Sequence, residues 1–228
     1  MVVHGLLALS LATSVLPAAD VQAKIDCSKV KCLALTFDDG PGKHTRPLLD
    51  LLKKEKVKAT FFVTGKHVEE SPSVVRRAAR EGHAIGNHTY SHQSLPPLLD
   101  YEIIDQMRAA STVIEDATGR RVRMFRPPYG HTDERVLGIA GEQDLAQVLW
   151  TGTTLDWSLR DAKKIKAAVL RLARRDGVIL MHDTVPQTVQ AMPAIVKELK
   201  KRGYHLVTVP ALAGAKGAKG LRPGVSYP

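Results

Sequence analysis

The 228-residue sequence contains few aromatic residues and only two cysteines, Cys27 and Cys32. Phenylalanine, tryptophan and tyrosine make up 5% of the chain, and no recognisable nucleic-acid-binding motif is present. Because single-stranded nucleic acids bind largely by stacking on aromatic rings, this composition argues against a nucleic-acid partner. Two cysteines are also too few to form a metal cluster without other ligands close by. A cysteine-based metal site is therefore disfavoured.

The sequence also lacks a hydrophobic run long enough to cross a membrane. Its most apolar stretch lies at the N-terminus, contains no lysine or arginine, and ends in Val21-Gln22-Ala23. A short apolar stretch that ends in small residues is typical of a secretory signal, with a buried first helix as the alternative. We therefore predict a signal peptide over residues 1–23 and a secreted protein without stable membrane insertion. In an exported protein, Cys27 and Cys32 are expected to form a disulfide.

Positive charge exceeds negative charge along the chain. The 33 lysines and arginines against 23 aspartates and glutamates give a formal net charge of +10. Only Asp20 is charged within the predicted signal peptide, so removing that peptide raises the net charge by one. A basic surface attracts anionic polymers such as a cell wall, although many secreted proteins simply carry a solvated basic surface. Charge alone is therefore weak evidence for association with the cell wall.

Seven apolar runs that resemble strands alternate with helical patterns. Strand followed by helix, repeated in this way, predicts an α/β architecture with a parallel sheet. About seven units within residues 24–210 fit a single distorted (β/α) barrel better than two domains, and an open doubly wound sheet is the alternative. The runs are CLALTF, KATFFVTG, HAIGNH, VRMFRPP, AQVLWTGTT, GVILMH and YHLVTVP.

Helix signals lie between several of these runs. One helix is predicted to begin after Ser71, a second to cover residues 100–118, and a third to begin at Asp161. A fourth is predicted over residues 187–202, with Pro193 marking a late start or a kink. The last segment, residues 211–228, is rich in glycine, lysine and proline and is predicted to be a mobile basic tail.

Polar residues follow five of the apolar runs. In parallel α/β folds the ligand site gathers at the carboxyl ends of the strands, so these residues would meet at one mouth. Nearly every predicted strand end carries an ionisable group, which random surface loops would not. The residues are Asp38 and Asp39, His88 and His92, Arg126 and Tyr129, Asp156, and His182 and Asp183.

Two histidines, His88 and His92, stand four residues apart in the stretch NHTYSH. This spacing places two imidazoles on one face of a helical turn, where both can reach one metal ion. A carboxylate from elsewhere would complete a three-ligand set and leave a position open for water. The other histidines are interpreted as structural or have no identifiable partner: His83 and His205 in the first group, and His4, His44, His67 and His131 in the second.

The adjacent carboxylates Asp38 and Asp39 end the first apolar run, in the stretch TFDDGPG. Successive residues of a strand point to opposite faces, so the two side chains are expected to do different work. One could bind the metal, and the other could act as a base toward the water that the metal activates. The alternative is a capped turn, which DDGPG taken alone would favour.

Five stretches in this order, TFDDGPG, HTYSH, RPPYG, LDW and LMH, resemble the motifs of the polysaccharide deacetylases, also called NodB-homology or carbohydrate esterase family 4 proteins. The resemblance covers about residues 32–210. It implies a distorted (β/α) barrel, a divalent metal, usually zinc, and hydrolysis of an acetyl group on a polymeric sugar. Asp-His-His ligands with an open position suit zinc well and cobalt nearly as well.

The resemblance also implies a role for each motif residue. The metal ligands would be Asp39, His88 and His92. Asp38 would be the base, and Arg126 would orient it. His182 would be the general acid, and Asp156 would be the carboxylate that tunes it. The backbone N–H of Tyr129 would hold the oxyanion, and the acetyl methyl pocket would include Trp157, Leu180 and Pro128. Thr153 departs from the family pattern, since an acidic residue often stands there.

The sequence therefore predicts a secreted metal-dependent deacetylase, a monomer, that acts on N-acetylglucosamine units of chitin oligomers or peptidoglycan. An acetyl xylan esterase with the same machinery is an alternative, because the motifs do not separate the two substrates. A non-catalytic carbohydrate-binding relative is a second alternative, disfavoured because Asp38 and His182 are both present. A basic module that binds the cell wall is the weakest interpretation, because it depends on charge alone.

Overall fold

A parallel sheet of nine strands organises the part of the chain that the computed structural model describes, residues 25–215 and 220–228. The predicted signal peptide over residues 1–23 lies outside the described residues. The strands are β1 (Lys31–Asp38), β2 (Thr60–Val63), β3 (Ala84–Asn87), β4 (Met124–Phe125), β5 (Ala146–Val148), β6 (Gly152–Thr153), β7 (Gly177–His182), β8 (Tyr204–Val207) and β9 (Ser226–Tyr227).

Helices connect most of these strands, and several begin or end where the sequence signals predict. The helix predicted over residues 100–118 has those bounds and ends at Gly119, whose φ of 66° suits a glycine C-cap. The Asp161 carboxylate accepts the Lys164 N–H at 2.9 Å as an N-cap. The helices are α1 (Thr45–Lys54), α2 (Gly65–Glu70), α3 (Pro72–Arg80), α4 (Asp100–Thr118), α5 (Glu134–Glu142), α6 (Asp156–Leu159), α7 (Ala162–Leu172), α8 (Pro186–Lys201) and α9 (Val209–Ala215).

The central strand of the sheet is β1. It pairs with β7 along its length, with β2 near its carboxyl end, and with β8 near its amino end, always in parallel. The remaining order runs from β2 through β3, β4 and β5 to β9, while β6 lies beyond β7. In the register of β1 and β7, Asp38 pairs with His182, so these two residues end neighbouring strands at the same level.

The two faces of β1 contact different cores. Leu33, Leu35 and Phe37 belong to the large cluster between the sheet and the helices, whereas Cys32 and Ala34 belong to a smaller cluster on the inner face. The inner face also carries Thr36 and Asp38, since side chains alternate along a strand. This curled parallel sheet surrounded by helices matches the predicted distorted (β/α) barrel.

The apolar runs produce more strands than the seven predicted. The run AQVLWTGTT forms two strands, β5 and β6, because the chain breaks from the sheet between Val148 and Gly152. The second additional strand comes from the C-terminal segment, where β9 pairs with the edge strand β5.

Part of the segment predicted to be a mobile tail, residues 211–228, has regular secondary structure. Helix α9 extends to Ala215, and β9 pairs with β5. Two main-chain hydrogen bonds hold this pairing, from Gln147 N–H to Val225 C=O at 3.0 Å and from Leu149 N–H to Tyr227 C=O at 2.8 Å. Glycine and proline content does not reveal such backbone pairing.

The predicted disulfide between Cys27 and Cys32 is present, with a Cα–Cα distance of 5.4 Å. Both cysteines are buried in the inner cluster, so the bond joins the segment before β1 to the strand itself. None of the helices within the described residues has the length and apolar character needed to span a bilayer.

Replacing both Cys27 and Cys32 by serine should lower the free energy of unfolding by about 2 kcal/mol, because a closed loop of this size restricts the unfolded chain by that amount. Urea unfolding, followed by circular dichroism, measures the difference. Reducing agent should shift the wild-type midpoint by a similar amount and leave the double variant unchanged. Equal midpoints for oxidised and reduced wild-type protein would contradict the prediction.

Candidate active site

The structure brings the polar residues at the predicted strand ends together at one mouth. Asp38 is the last residue of β1, and His88 follows β3 directly. Arg126 follows β4, and His182 is the last residue of β7. The fifth group, Asp156, begins the short helix α6 after β6. Since the strands are parallel, their carboxyl ends place all of these groups at the same end of the sheet.

Asp39, His88 and His92 form a set of side chains that could hold a metal ion. The Asp39 Oδ1 atom lies 3.4 Å from His88 Nε2 and 3.2 Å from His92 Nε2, and the three ligand atoms lie within 4.8 Å of one another. Asp39 Oδ1 is buried and has no hydrogen-bond partner among the described residues. An unpartnered carboxylate oxygen facing two imidazole nitrogens fits a divalent cation such as zinc.

The protonation states and orientations of these side chains also suit metal binding. His88 Nδ1 donates to the Arg126 carbonyl at 2.7 Å, which leaves Nε2 free to bind. Burial alone would raise the pKa of Asp39, but the neighbouring histidines lower it to about 2. Burial and the nearby His88 lower the pKa of His92. Near neutral pH the set therefore offers an ionised carboxylate from Asp39 and a neutral imidazole from His92.

Several residues of the mouth have left-handed backbone conformations. The φ angles are 73° at Asp39, 59° at His92, 62° at Tyr129 and 53° at Leu155. Such a conformation costs a non-glycine residue roughly 1 kcal/mol or more, and it persists only where the surroundings enforce it. At Asp39 one such contact is visible, because His67 Nδ1 donates to the Asp39 carbonyl at 2.7 Å. Two residues of the metal-binding set, Asp39 and His92, are thus held in strained backbone conformations.

Asp38 forms a buried ion pair with Arg126 rather than joining Asp39. Arg126 Nη1 donates to Asp38 Oδ1 at 2.8 Å, and the two side chains are 0% and 3% exposed. Burial lowers the pKa of Arg126, and the Asp38 charge opposes this shift. The two adjacent aspartates therefore have different partners, as predicted, but strand alternation is not the cause: Asp39 lies beyond the end of β1, and its left-handed backbone turns its side chain away from that of Asp38.

The guanidinium of Arg126 is satisfied on every side. Its Nε and Nη2 atoms donate to the carbonyls of Val148 and Leu149 at 2.9 and 2.6 Å. Nη1 also donates to the Thr36 hydroxyl at 2.7 Å, and the group lies 4.1 Å from the centre of the Phe62 ring. A charge can be buried when it is paired and hydrogen-bonded in this way.

His182 and Asp156 form a second pair at the mouth. His182 Nδ1 donates to Asp156 Oδ1 at 2.8 Å, while Asp156 Oδ2 accepts from the His182 N–H at 2.8 Å and from the Thr188 hydroxyl at 2.6 Å. Burial alone would lower the pKa of His182, but the hydrogen bond and charge of Asp156, with the charges of Asp38 and Asp39, raise it to about 9. His182 is therefore protonated at neutral pH and can donate a proton through Nε2.

Comparison with known proteins identifies the family. A family model described as polysaccharide deacetylase matches residues 26–148, just over half of the chain. The chain belongs to the polysaccharide deacetylase family. A peptidoglycan-N-acetylglucosamine deacetylase from Bacillus cereus is 40% identical over 185 residues, which are 79% of this chain and 67% of that protein. Other peptidoglycan deacetylases are longer, and the chain spans 40% of the length of one from Listeria monocytogenes.

A solved structure described as "T48 deacetylase with substrate" has a TM-score of 0.84 and 38% identity, and the match covers 90% of this chain and all of that one. A chitooligosaccharide deacetylase from Bradyrhizobium is 34% identical over 203 residues, covering 82% of this chain and 93% of that protein. Both the family resemblance and the predicted distorted barrel are thereby confirmed. Polysaccharide deacetylases of this family are generally metal-dependent, and the Asp39 set is a possible metal site in this one.

The apolar residues expected to form the acetyl pocket have different degrees of exposure in this deacetylase fold. Trp157 is 56% exposed on α6, Leu180 is 6% exposed in β7, and Pro128 is buried. Tyr129 is 62% exposed, and its ring lies against His92 with centroids 4.7 Å apart. A cleft of about 330 Å³ opens beside the metal-binding set. Its lining comprises Asp39, Thr64, Lys66, His67, Tyr90, Ser91, His92 and Thr184.

Sequence reasoning missed some of the residues that support the site. His67 had no identifiable partner, yet it holds the Asp39 carbonyl. Thr188 was not singled out, although its hydroxyl holds Asp156 across 32 residues of sequence. The sequence around each residue does not indicate its role, because each contact depends on how α2 and α8 pack at the mouth. By contrast, His83 is structural as predicted, since its Nδ1 accepts the Ala59 N–H at 3.1 Å and burial lowers its pKa to about 4.

Replacing Arg126 by methionine should lower the free energy of unfolding by about 3–5 kcal/mol, because Asp38 would be left as an uncompensated buried charge. Urea unfolding of the single and double variants tests this. Adding Asp38→Asn should recover part of the loss, since the remaining partner is then neutral. Arg121→Met is a matched control, because its pair with Asp144 is exposed and contributes about 0–1 kcal/mol. Additive losses in the double variant would contradict the coupling.

Proposed function

We propose that this protein is a metal-dependent deacetylase that hydrolyses N-acetyl groups on the N-acetylglucosamine units of peptidoglycan or of chitin-type oligomers. The observation that carries the proposal is the presence of two oriented acid–base pairs around one metal-binding set. Arg126 holds Asp38 at 2.8 Å, and Asp156 holds His182 at 2.8 Å. Hydrolysis of an amide needs both a base for the attacking water and an acid for the departing nitrogen.

Asp39, His88 and His92 would hold the divalent cation, zinc or cobalt. When bound, the cation supplies Lewis-acid chemistry, in that it polarises the acetyl carbonyl and lowers the pKa of a water. The chain's own contribution is to fix the ligand directions. The His88 hydrogen bond to the Arg126 carbonyl orients one imidazole, and the ring of Tyr129 packs against the other, His92.

Asp38 would act as the general base that takes a proton from the attacking water. The buried guanidinium of Arg126 donates to Asp38 Oδ1 and thereby fixes the direction of this carboxylate. Asp38 Oδ2 lies 3.9 Å from His88 Nε2, so the base stands next to the metal-binding set without belonging to it. The backbone N–H of Tyr129 would donate to the oxyanion, a contribution typically worth about 3 kcal/mol.

His182 would donate the proton that the departing amine requires. Asp156 keeps His182 protonated and orients its Nε2 atom, which lies 3.9 Å from Asp39 Oδ2 and thus faces the reacting centre. An ester oxygen leaves more easily than an amide nitrogen and needs this acid less. The pair of His182 and Asp156 therefore supports N-deacetylation, the reaction that needs the acid most, and it disfavours a purely carbohydrate-binding relative.

The remaining expectations from the sequence belong to the same proposal. Trp157, Leu180 and Pro128 would form the apolar pocket for the acetyl methyl group. The deacetylase domain, predicted over residues 24–210, would also include α9 and β9, and it would belong to a secreted monomer that follows a signal peptide. A net charge of +10 would favour contact with anionic wall polymers, where an acetylated glycan is available.

Replacing Asp38 by asparagine should lower kcat for acetate release at least 100-fold, because the water loses its general base. Acetate release is measured from peptidoglycan, N-acetylchitooligosaccharides and acetylated xylan in parallel. Asp39→Asn, one residue further along the chain, is the matched variant. It should lose zinc affinity in calorimetry, whereas Asp38→Asn should bind zinc as the wild type does.

Chelator should abolish wild-type activity, and added zinc or cobalt should restore it. Unchanged acetate release in Asp38→Asn would contradict the base assignment.

The pair of His182 and Asp156 generates a pH prediction. A raised pKa means that protonated His182 is present below about pH 9 and is lost as the pH rises through that value. Asp156→Asn removes the charge that raises the pKa, so the alkaline limb of kcat/KM should move to lower pH. Thr188→Val, which removes only a hydrogen bond to Asp156, should move it less. An alkaline limb at the same pH in Asp156→Asn would contradict the role of His182 as acid.

A further inference from the structure

A second carboxylate, Asp183, is buried beneath the loop that follows β1, and no step of the proposed reaction uses it. Its side chain is 0% exposed. The Thr45 hydroxyl donates to its Oδ2 atom, while Oδ1 has no hydrogen-bond partner among the described residues. Burial, together with the nearby charge of Asp39, raises the pKa of Asp183 to about 7. A buried carboxyl with one unsatisfied oxygen is costly, so its retention at this position calls for a physical reason.

Contact with Gly40 provides that reason. A Cβ atom placed on Gly40 would lie 2.6 Å from Asp183 Oδ1 and 2.8 Å from its Cγ, which is too close for any side chain. The φ angle of Gly40 does not fall in the left-handed region, so backbone conformation does not require glycine here. Glycine is required because the Asp183 carboxyl occupies the space that a side chain would fill. Gly40 follows the metal-binding residue Asp39 directly.

Thr45 extends the contact to the other end of the same loop. It accepts a hydrogen bond from the Gly42 N–H at 2.8 Å while it donates to Asp183. On the opposite side, the Gly40 carbonyl accepts from the Thr64 N–H at 3.1 Å. The backbone of residues 40–42 is therefore held by Thr45 and by Thr64. Asp183 supports the first of these contacts because it accepts a hydrogen bond from the Thr45 hydroxyl.

The residue that benefits is Asp39. Its φ of 73° is unfavourable for an aspartate, and the loop must enforce it. A left-handed residue that relaxed would rotate its side chain away from His88 and His92, because φ sets the direction of the Cα–Cβ bond. A support that fixes the neighbouring peptide planes therefore fixes the direction of the Asp39 carboxylate.

We propose that Asp183 is a positioning residue for the metal-binding aspartate: by packing against Gly40 and holding Thr45, it fixes the loop that aims Asp39 at His88 and His92. The inference rests on the proposed function insofar as Asp39 is taken as a ligand. In this proposal Asp183 acts through the backbone of residues 39–42.

The test compares Asp183→Ala with Asp183→Asn in the full chain. Zinc affinity is measured by calorimetry, kcat and KM are measured at saturating zinc, and stability is measured by thermal unfolding. Asp183→Ala should weaken zinc binding by about 10–100-fold, the range typical for loss of a residue that orients a ligand. Asp183→Asn keeps the shape and an acceptor for Thr45, so it should retain most of the affinity. KM at saturating zinc should change little in either variant.

Leu199→Ala is the matched control for a merely structural effect. Leu199 is buried in α8 and belongs to the large core cluster away from the mouth, so its truncation should lower the unfolding temperature without changing zinc affinity. If Asp183→Ala lowers stability yet binds zinc as tightly as the wild type, Asp183 is structural only and the proposal is overturned. If the wild type binds no zinc, the proposed metal function fails instead, which is a separate result.

A reciprocal pair of variants tests the steric contact even if Asp183→Ala folds poorly. Gly40→Ala should weaken zinc binding, because its methyl group would overlap the Asp183 carboxyl. Combining Gly40→Ala with Asp183→Ala opens space for the methyl group, so the double variant should bind zinc more tightly than Gly40→Ala alone. A double variant that binds zinc no more tightly than Gly40→Ala would overturn the packing argument.

Discussion

The buried guanidinium of Arg126 is the interaction on which the site depends. Inside the curled sheet it bonds the carbonyls at the end of β5, the hydroxyl of Thr36 in β1, and the carboxylate of Asp38. Its own carbonyl accepts from His88. One residue therefore joins two distant strands, orients the proposed base and orients a proposed metal ligand. A lysine could not replace it, because only a planar fork of five donors reaches all of these partners.

The regular strands place the polar residues at one mouth, and the irregular backbone there orients their side chains. Short parallel strands deliver polar groups to one edge, but strand geometry alone does not bring side chains from adjacent positions onto one ion. The left-handed conformations at Asp39 and His92 provide this turn. Their conformational cost must be offset by contacts beneath them, and hydrogen bonds from His67 to Asp39 and from His92 N–H to Thr89 at 3.1 Å serve that purpose.

Much of this arrangement could be predicted from the sequence, because its signals are local. Apolar runs followed by polar residues indicate strand ends. The spacing of His88 and His92 led to the prediction of a shared ion, but the predicted helical turn is wrong: residues 88–92 form a loop in which His92 has a left-handed backbone. The bounds of α4 follow from its periodicity and from Gly119. The supporting contacts of Thr188 and Asp183 could not be predicted, since each joins residues from 32 to 138 positions apart. The pairing of β9 with β5 was also hidden, because it uses main-chain groups that every residue possesses.

The register of β1 and β7 has a consequence for how this site can vary. Asp38 and His182 are opposite one another on neighbouring strands, so the separation of proposed base and acid is set by the roughly 4.8 Å spacing between strands rather than by any loop. A slip of one residue would bring Met181 or Asp183 level with Asp38 and turn the acid to the other face of the sheet. Changes in the loops at the mouth would therefore leave the separation of the proposed base and acid unchanged.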